Sequence, residues 1–365
     1  MAWSARWSTS AVAAEPTEAS LEHEPVQVEE VALEDPRWDP YVSSRPEATL
    51  FHDAAWLRIP TRAFGYRYHG LLARQGDRVV GVLPLFHVPR LPFGSSLLST
   101  PLAVYGGVVA DSAAAGKALA LAARALGERL GAGYVELRDG MRIEGLPVKD
   151  LYVTFRREIC GSHEENFAKI RGKQRTSIRA AQRHGLTHEM GREELVDRFY
   201  IVYSHSVRNL GTPVFPKRLF HYLLGELGEA CEILLVHRQG ETVGAVFSFF
   251  DRGSVHPYYA GTLRDAYRYS VSDYMYWSLM CHAADRGCRV FDFGRSKRDT
   301  GAFQFKRHWG FEPTPLAYQY QLVKDRRIPD LSPKNPRFGL AIRLWRRMPL
   351  AVAERIGPAV VRYFP

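Results

Sequence analysis

The segment LLARQGDRVVGVLPLF (residues 71–86) returns in altered form as LLVHRQGETVGAVFSFF (residues 234–250), and this pair decides the fold. Each copy is an apolar run, a tight R-Q-G turn with an acidic residue after the glycine, and a second apolar run. That is a β-hairpin pattern, with Gly76 and Gly240 supplying the positive φ such a turn demands. The likeness continues downstream. Residues 113–137 read as a helix stopping at LGERLGAG and then the strand YVELR; residues 273–295 read as a helix stopping at CHAADRG and then the strand CRVFDFGR. Hairpin, long strand, helix, strand thus occurs twice, offset by about 160 positions. One copy could be chance, since glycine is common in turns. Two in register imply two like-folded units, with a boundary near residue 155.

Antiparallel strands followed by a helix that crosses to a further strand resemble the core order of GNAT-type acyltransferases. The expected fold class is therefore α/β (α+β): two tandem GNAT-like domains with mixed, mainly antiparallel sheets flanked by helices. The first would span residues 46–155 and the second 156–328, with a helical insert at 164–227. Residues 1–45, rich in Glu, Pro, Ser and Ala, read as a disordered acidic leader. Residues 329–365, which begin among Pro329, Pro333 and Pro336, read as a basic amphipathic tail.

The 365-residue chain has a formal charge of +10, unevenly spread. The leader is at −6, residues 166–188 hold six bases and no acid, and residues 326–365 hold nine bases against Asp330 and Glu354. A hydrophobic content of 46% excludes wholesale disorder, and four cysteines without C-x-x-C spacing exclude a disulfide scaffold. No stretch reaches the ~20 apolar residues that span a bilayer, and the N-terminus lacks the apolar run of a secretory signal. The expectation is a cytoplasmic protein, with the tail available for peripheral contact on the inner face of the cytoplasmic membrane.

Three stretches can carry chemistry. In EENFAKIRGKQRTSIRAAQRHGL, Arg171, Arg175, Arg179 and Arg183 recur at i, i+4 on one helical face. This is either a solvated face or a phosphate-facing surface, for which Lys173, Arg175 and Arg179 are the candidate contacts. In FDFGRSKRDTGAFQFKRHWGFEP (291–313), Phe291 and Phe293 alternate with Asp292 as a strand, Gly294 turns the chain, and Arg295, Ser296 and Lys297 emerge at the strand end, where ligands gather in α/β sheets. Lys306 follows among Phe303, Phe305 and Trp309: an electrostatic group in a partly dry site, or a snorkelling lysine. In VHPYYAGT (255–262), alternation sends only one of Tyr258 and Tyr259 toward a cleft. Asp273 falls where it would cap the next helix. The R/Q-x-x-G-x-G/A loop that cradles a CoA pyrophosphate has no counterpart in GTLRDAYRYSVSD, so acetyl-CoA is disfavoured. There is also no P-loop, G-x-S-x-G, H-E-x-x-H or Cys/His ligand cluster, so no cofactor and no metal are expected.

STPLAVYGG (99–107), ELRDG (136–140), KDLYVTFRR (149–157), KQRTSIR (173–179), VRNLGTPVFPKRLF (207–220), PYYAGT (257–262), SDYMYW (272–277), the 291–313 block and NPRF, MPL and GP in the tail together resemble the FemAB-type proteins. More narrowly, they resemble the FemAB-like group that accompanies exosortase/PEP-CTERM and exopolysaccharide systems. The likeness runs from about residue 48 to the end. It implies two GNAT-like domains and transfer of an amino acid from aminoacyl-tRNA to an amine of a peptidoglycan precursor. It gives Lys306 the role of stabilising the oxyanion, Arg295 and Lys297 that of holding acceptor phosphates or carboxylates, and Tyr258 or Tyr259 a place on the cleft wall. To these we add Asp292, to orient Arg295 or assist proton removal. The chain departs from the family in having no long coiled-coil arm and in carrying Ala180, Ala181 and Gln182 where lysines are expected.

The leading expectation is thus an acyl or aminoacyl transferase acting on a phosphate-bearing envelope or polysaccharide precursor, with aminoacyl-tRNA as donor and no DNA partner. The alternative is a non-catalytic adaptor of an exopolysaccharide or exosortase-associated system that docks on anionic lipid through its tail.

Overall fold

The computed structural model describes residues 24–90, 94–329 and 336–364, with the backbone alone at 336–338. The first of two eight-stranded sheets is built from β1 (Gln27–Val31), β2 (Arg67–Gln75), β3 (Arg78–Pro89), β4 (Ser95–Leu98), β5 (Val109–Ala110), β6 (Tyr134–Arg138) and β7 (Val148–Lys149). The second takes β8 (Tyr152–Glu158), β9 (Leu186–Gly191), β10 (Cys231–Arg238), β11 (Glu241–Asp251), β12 (Ser254–Thr262), β13 (Val290–Asp292), β14 (Ser296–Lys297) and β15 (Pro313–Pro315). A last strand, β16 (Tyr318–Leu322), returns to the first sheet between β6 and β7.

The helices are α1 (Trp38–Ser43), α2 (Ala54–Phe64), α3 (Ala113–Leu130), α4 (His163–Ala168), α5 (Gly172–Arg183), α6 (Val196–Leu210), α7 (Lys217–Leu227), α8 (Val271–Asp285), α9 (Gly301–His308), α10 (Pro336–Arg347) and α11 (Leu350–Val361).

The repeat hairpins are β2–β3 and β10–β11. In the second, both turn residues are left-handed (Gln239 φ 52°, Gly240 φ 84°), the conformation that matches a two-residue turn to the twist of its strands. The crossover also recurs. A parallel pair needs a long connection, and α3 links β4 to β6 as α8 links β12 to β13. Both sheets are otherwise antiparallel.

Four expectations about organisation are corrected. The acidic leader is ordered from residue 24 onward; residues 1–23 lie outside the described part. Within the acidic composition are three anchors, Trp38, Tyr41 and Val42, all buried, and β1 completes the sheet edge beside β2. The glutamates of β1 are neutralised in place: Arg37 pairs with Glu29, while His69 and Arg129 pair with Glu30. The boundary near 155 falls inside β8, which belongs wholly to the second sheet, and β16 carries the chain back into the first. The insert at 164–227 is not all helix, because LTHEMG forms edge strand β9 against β10. The tail lies against the body rather than apart from it.

One apolar cluster, including Phe51, Trp56, Phe199, Phe220 and Phe247, runs through both units. Helix α2 packs on α7, and Arg58 and Arg62 both pair with Glu226 across that contact. The tail helix α11 buries Ala353, Gly357 and Val361, spaced i, i+4, i+8. A Cβ at Gly357 would sit 2.6 Å from the Val214 oxygen and 2.8 Å from its nitrogen. Gly357→Val should therefore lift α11 off the body and cost about 1–3 kcal/mol, read as a lower thermal midpoint.

Candidate functional site

Strands β12 and β13 stay paired for only two residues, Ser254 and Val255 against Val290 and Phe291, and then part. The wedge between them is a cavity of about 410 Å³, walled by β12, the β13 end, α9 and residues 102–105 of the first unit. A second cavity of about 580 Å³ meets it at Tyr276, Phe293, Ala302 and Lys306 and opens outward past Leu210 and Tyr267.

Three charged residues of the FDFGRSK…FKRHW block converge on this wedge. Lys306, on α9, points its Nζ back at the β13 end and donates to the carbonyls of Phe293 (2.6 Å), Gly294 (2.9 Å) and Arg295 (3.2 Å). Burial pulls its pKa down to about 7, with Asp292 opposing and Arg295 adding to the fall. Three carbonyl acceptors use all three protons of an ammonium, so the geometry favours the charged form. Arg295 donates to the Tyr318 hydroxyl (3.2 Å) and lies 4.7 Å from the Tyr152 ring centroid. Among the described residues no carboxylate pairs with it. Asp292 is fully buried and engaged on both oxygens: it accepts from Tyr105 (2.7 Å), Thr154 (3.3 Å) and the Gly294 N–H (2.7 Å), and Arg156 lies 3.3 Å away. The wedge therefore sets Lys306 and Arg295 beside one buried carboxylate, Asp292, which Arg156 approaches from the solvent side.

No curated protein matches the sequence significantly. Residues 168–307 match the family described as an acetyltransferase (GNAT) domain. Among solved structures, FemX superposes with a TM-score of 0.62 over 87% of this chain and 100% of its own, at 14% identity. In fold, the chain is similar to FemX and to tandem GNAT proteins. The C-terminal domain (DUF2156) of a putative lysylphosphatidylglycerol synthetase from Agrobacterium fabrum follows at TM-score 0.52 and 16% identity, covering 74% of this chain and 87% of its own. A tandem GNAT protein from the clavulanic acid biosynthesis pathway gives 0.51 and 12%, covering 84% and 100%. The residues matched to this acetyltransferase (GNAT) domain include Tyr258, Arg295 and Lys306 of the wedge, but not its wall at Leu102, Val104 and Tyr105.

The two units of this tandem GNAT-like fold use the same geometry differently. In the first, β4 and β6 also part after two paired residues, but Arg138 closes the opening by donating to Glu136 and to the carbonyls of Thr100 and Ala103. The bridged loop, with Thr100 (φ 46°) and Leu102 (φ 69°) left-handed, reaches over the second unit's wedge. There the Leu102 carbonyl accepts from Tyr258 (2.6 Å) and the Val104 carbonyl from Tyr318 (2.6 Å).

The remaining candidates divide. Tyr258 and Tyr259 both line the cavity, against the alternation rule, because β12 bulges there: Phe247 pairs with Tyr259 and Ser248 with Pro257, leaving Tyr258 as the extra residue. Lys297 sits on β14 with its ammonium 5.8 Å from the Tyr152 ring, outside the cavity lining. Lys173, Arg175 and Arg179 lie on α5, which packs on the far side of α8, and none lines the wedge. Asp292 makes no contact with Arg295; it fixes the Gly294 turn instead. Tyr105, Tyr152, Thr154 and Tyr318 join the site without a local sequence signal. Tyr105 stands in the quoted STPLAVYGG, and Tyr152 and Thr154 in the quoted KDLYVTFRR, but nothing nearby ties them to Asp292 or Arg295 far along the chain.

Asp273 is not the cap of α8, which is Ser270; it accepts from Trp309 Nε1 (2.9 Å). Burial raises its pKa from 3.8 to about 6, Trp309 partly opposing. The folded state then holds this proton more tightly than the unfolded one, so stability falls as pH rises from about 4 to 6. Asp273→Asn should remove that slope and add on the order of 1 kcal/mol of stability at neutral pH, read as a higher thermal midpoint.

Proposed function

We propose that this protein transfers an acyl or aminoacyl group from an activated ester to an amine or hydroxyl of a phosphate-bearing cell-envelope or exopolysaccharide precursor. The observation that carries this reading is the wedge itself, with the Lys306 ammonium and an Arg295 guanidinium that no carboxylate among the described residues neutralises. When the nucleophile adds to the ester carbonyl, the new negative charge forms on oxygen; the ester C–O bond then breaks, and the leaving alcohol oxygen takes up the proton that the nucleophile gives off. A fixed cation in a closed, low-dielectric space lowers the energy of that charge. Arg295 keeps N–H donors free of carboxylates for it, or for a substrate phosphate, while Lys306 holds the Phe293–Arg295 turn and adds its charge. Asp292, saturated by its donors, serves as the buried counter-charge rather than as the base.

Aminoacyl-tRNA suits this site better than CoA. The first turn of α8, where a pyrophosphate would approach the wedge, carries Asp273 and no glycine-rich loop. The bases of α5, Lys173, Arg175, Arg179 and Arg183, offer a separate phosphate-facing surface. The resemblance to exosortase-associated proteins makes an exopolysaccharide system the leading setting, with peripheral association at the inner face of the membrane. The test is transfer by purified protein from aminoacyl-tRNA and from acyl-CoA, alongside mass spectrometry of envelope intermediates in a deletion strain. A mass gap of one amino-acid residue supports the aminoacyl reading. Undiminished polymer with both Lys306 and Arg295 replaced would point to a non-catalytic adaptor.

A further inference from the structure

Eight large hydrophobic side chains stand exposed among the described residues, and six share one region. Leu340 and Leu344 lie on α10, and Val352 and Ile356 on α11, each pair spaced i, i+4. The other two, Leu210 and Tyr267, form the rim of the outer cavity. Leu210 lies where α10 meets the body: Arg346 donates to the Leu210 carbonyl, and Ile342 faces Gly211. Between the apolar side chains stand Arg343, Arg347, Arg355 and Arg362, all exposed. The one acid among the described tail residues, Glu354, is turned inward to the Ser204 hydroxyl (2.6 Å). The outward face is therefore aliphatic and cationic, with no negative charge of its own.

We infer that the outward side of α10 and α11, which both pack on α6, is a docking face for an anionic lipid bilayer, and that docking brings the outer mouth of the cleft to the membrane surface. The charge complements acidic headgroups, and leucines, an isoleucine and a valine set among arginines are the side chains that enter the acyl boundary when such a face meets a bilayer. The contrast with α5 is informative. Its exposed Arg171, Lys173, Arg179 and Arg183 carry no large apolar side chains between them, as suits a phosphate polymer rather than a bilayer. Because Leu210 and Tyr267 line the same cavity that Lys306 lines from within, a lipid-anchored substrate would reach Lys306 without leaving the membrane surface. That last step rests on the transferase reading above; the docking itself does not.

The test is co-sedimentation of the full chain with vesicles of phosphatidylcholine alone or mixed with phosphatidylglycerol. Binding is expected only to the mixed vesicles and should weaken as salt rises. Arg343→Ala with Arg347→Ala should reduce it roughly thirtyfold, and Leu340→Ser with Leu344→Ser by on the order of tenfold or more. All four side chains are exposed, so melting curves should match the wild type. Transfer to a lipid-free acceptor should be unchanged in both variants, which separates docking from catalysis. Equal binding to neutral vesicles, wild-type binding by the variants, or a dimer in solution that the leucine variants dissociate would each overturn the inference while leaving the transferase reading intact.

Discussion

Replacing Arg295 by alanine should lower the rate of transfer by on the order of 10²–10³-fold without unfolding the protein. The guanidinium lies among the Tyr152, Tyr258 and Tyr318 side chains at the wedge, with one hydrogen bond, to Tyr318. That hydroxyl keeps its own bond to the Val104 carbonyl when Arg295 is gone. A buried cation without a carboxylate is an electrostatic cost to the fold, so the thermal midpoint should hold or rise as activity is lost. Arg295→Lys should recover only part of the rate, because a point charge on a flexible stem lacks the planar fork. A variant that loses stability and activity in parallel would mark Arg295 as structural.

Lys306 predicts opposite pH trends for stability and rate. Its folded pKa of about 7 lies below the unfolded 10.5. Between those values the unfolded chain binds more protons, so stability rises with pH across that window. The positive charge at the wedge is lost over the same range, so the rate should fall as pH climbs through about 7, with the three carbonyls pushing the midpoint upward. Lys306→Arg should flatten both profiles by keeping the charge. Lys306→Ala should lose on the order of 10²-fold or more in rate and also destabilise, because the carbonyls of Phe293, Gly294 and Arg295 lose their donor. Chemical denaturation and steady-state rates across pH separate the two effects. A purely structural lysine would alter the stability profile and leave the pH dependence of the rate untouched.

The hairpins, the crossover helices and the glycines that end them are legible because each depends on neighbours a few residues away. Residues 71–86 and 234–250 show the strand pattern and the turn chemistry together, and the doubled fold follows from seeing them twice. Composition misled at the leader: Trp38, Tyr41 and Val42 carry more weight than the surrounding glutamates, but only once β2 and His69 are there to receive β1. Alternation misled at Tyr258 and Tyr259, because a bulge is a property of the pairing with β11 and not of β12 alone.

The candidate site divides in the same way. Asp292, Arg295 and Lys306 stand within one short block, and their charge types alone mark that block as a place for chemistry. What each does is set by partners that the chain brings from elsewhere. Tyr105 and Thr154 engage Asp292, Tyr318 engages Arg295, and the left-handed loop over the wedge comes from the other unit. The repeated unit and the residue types at the strand end can be read from residues 71–86, 234–250 and 291–313 alone, because local periodicity and turn conformation depend on short-range sterics. Only the tertiary structure decided which wedge stays open: in the first unit Arg138 seals it, in the second Lys306 lines it, and that difference arises from hydrogen bonds between residues far apart in the chain.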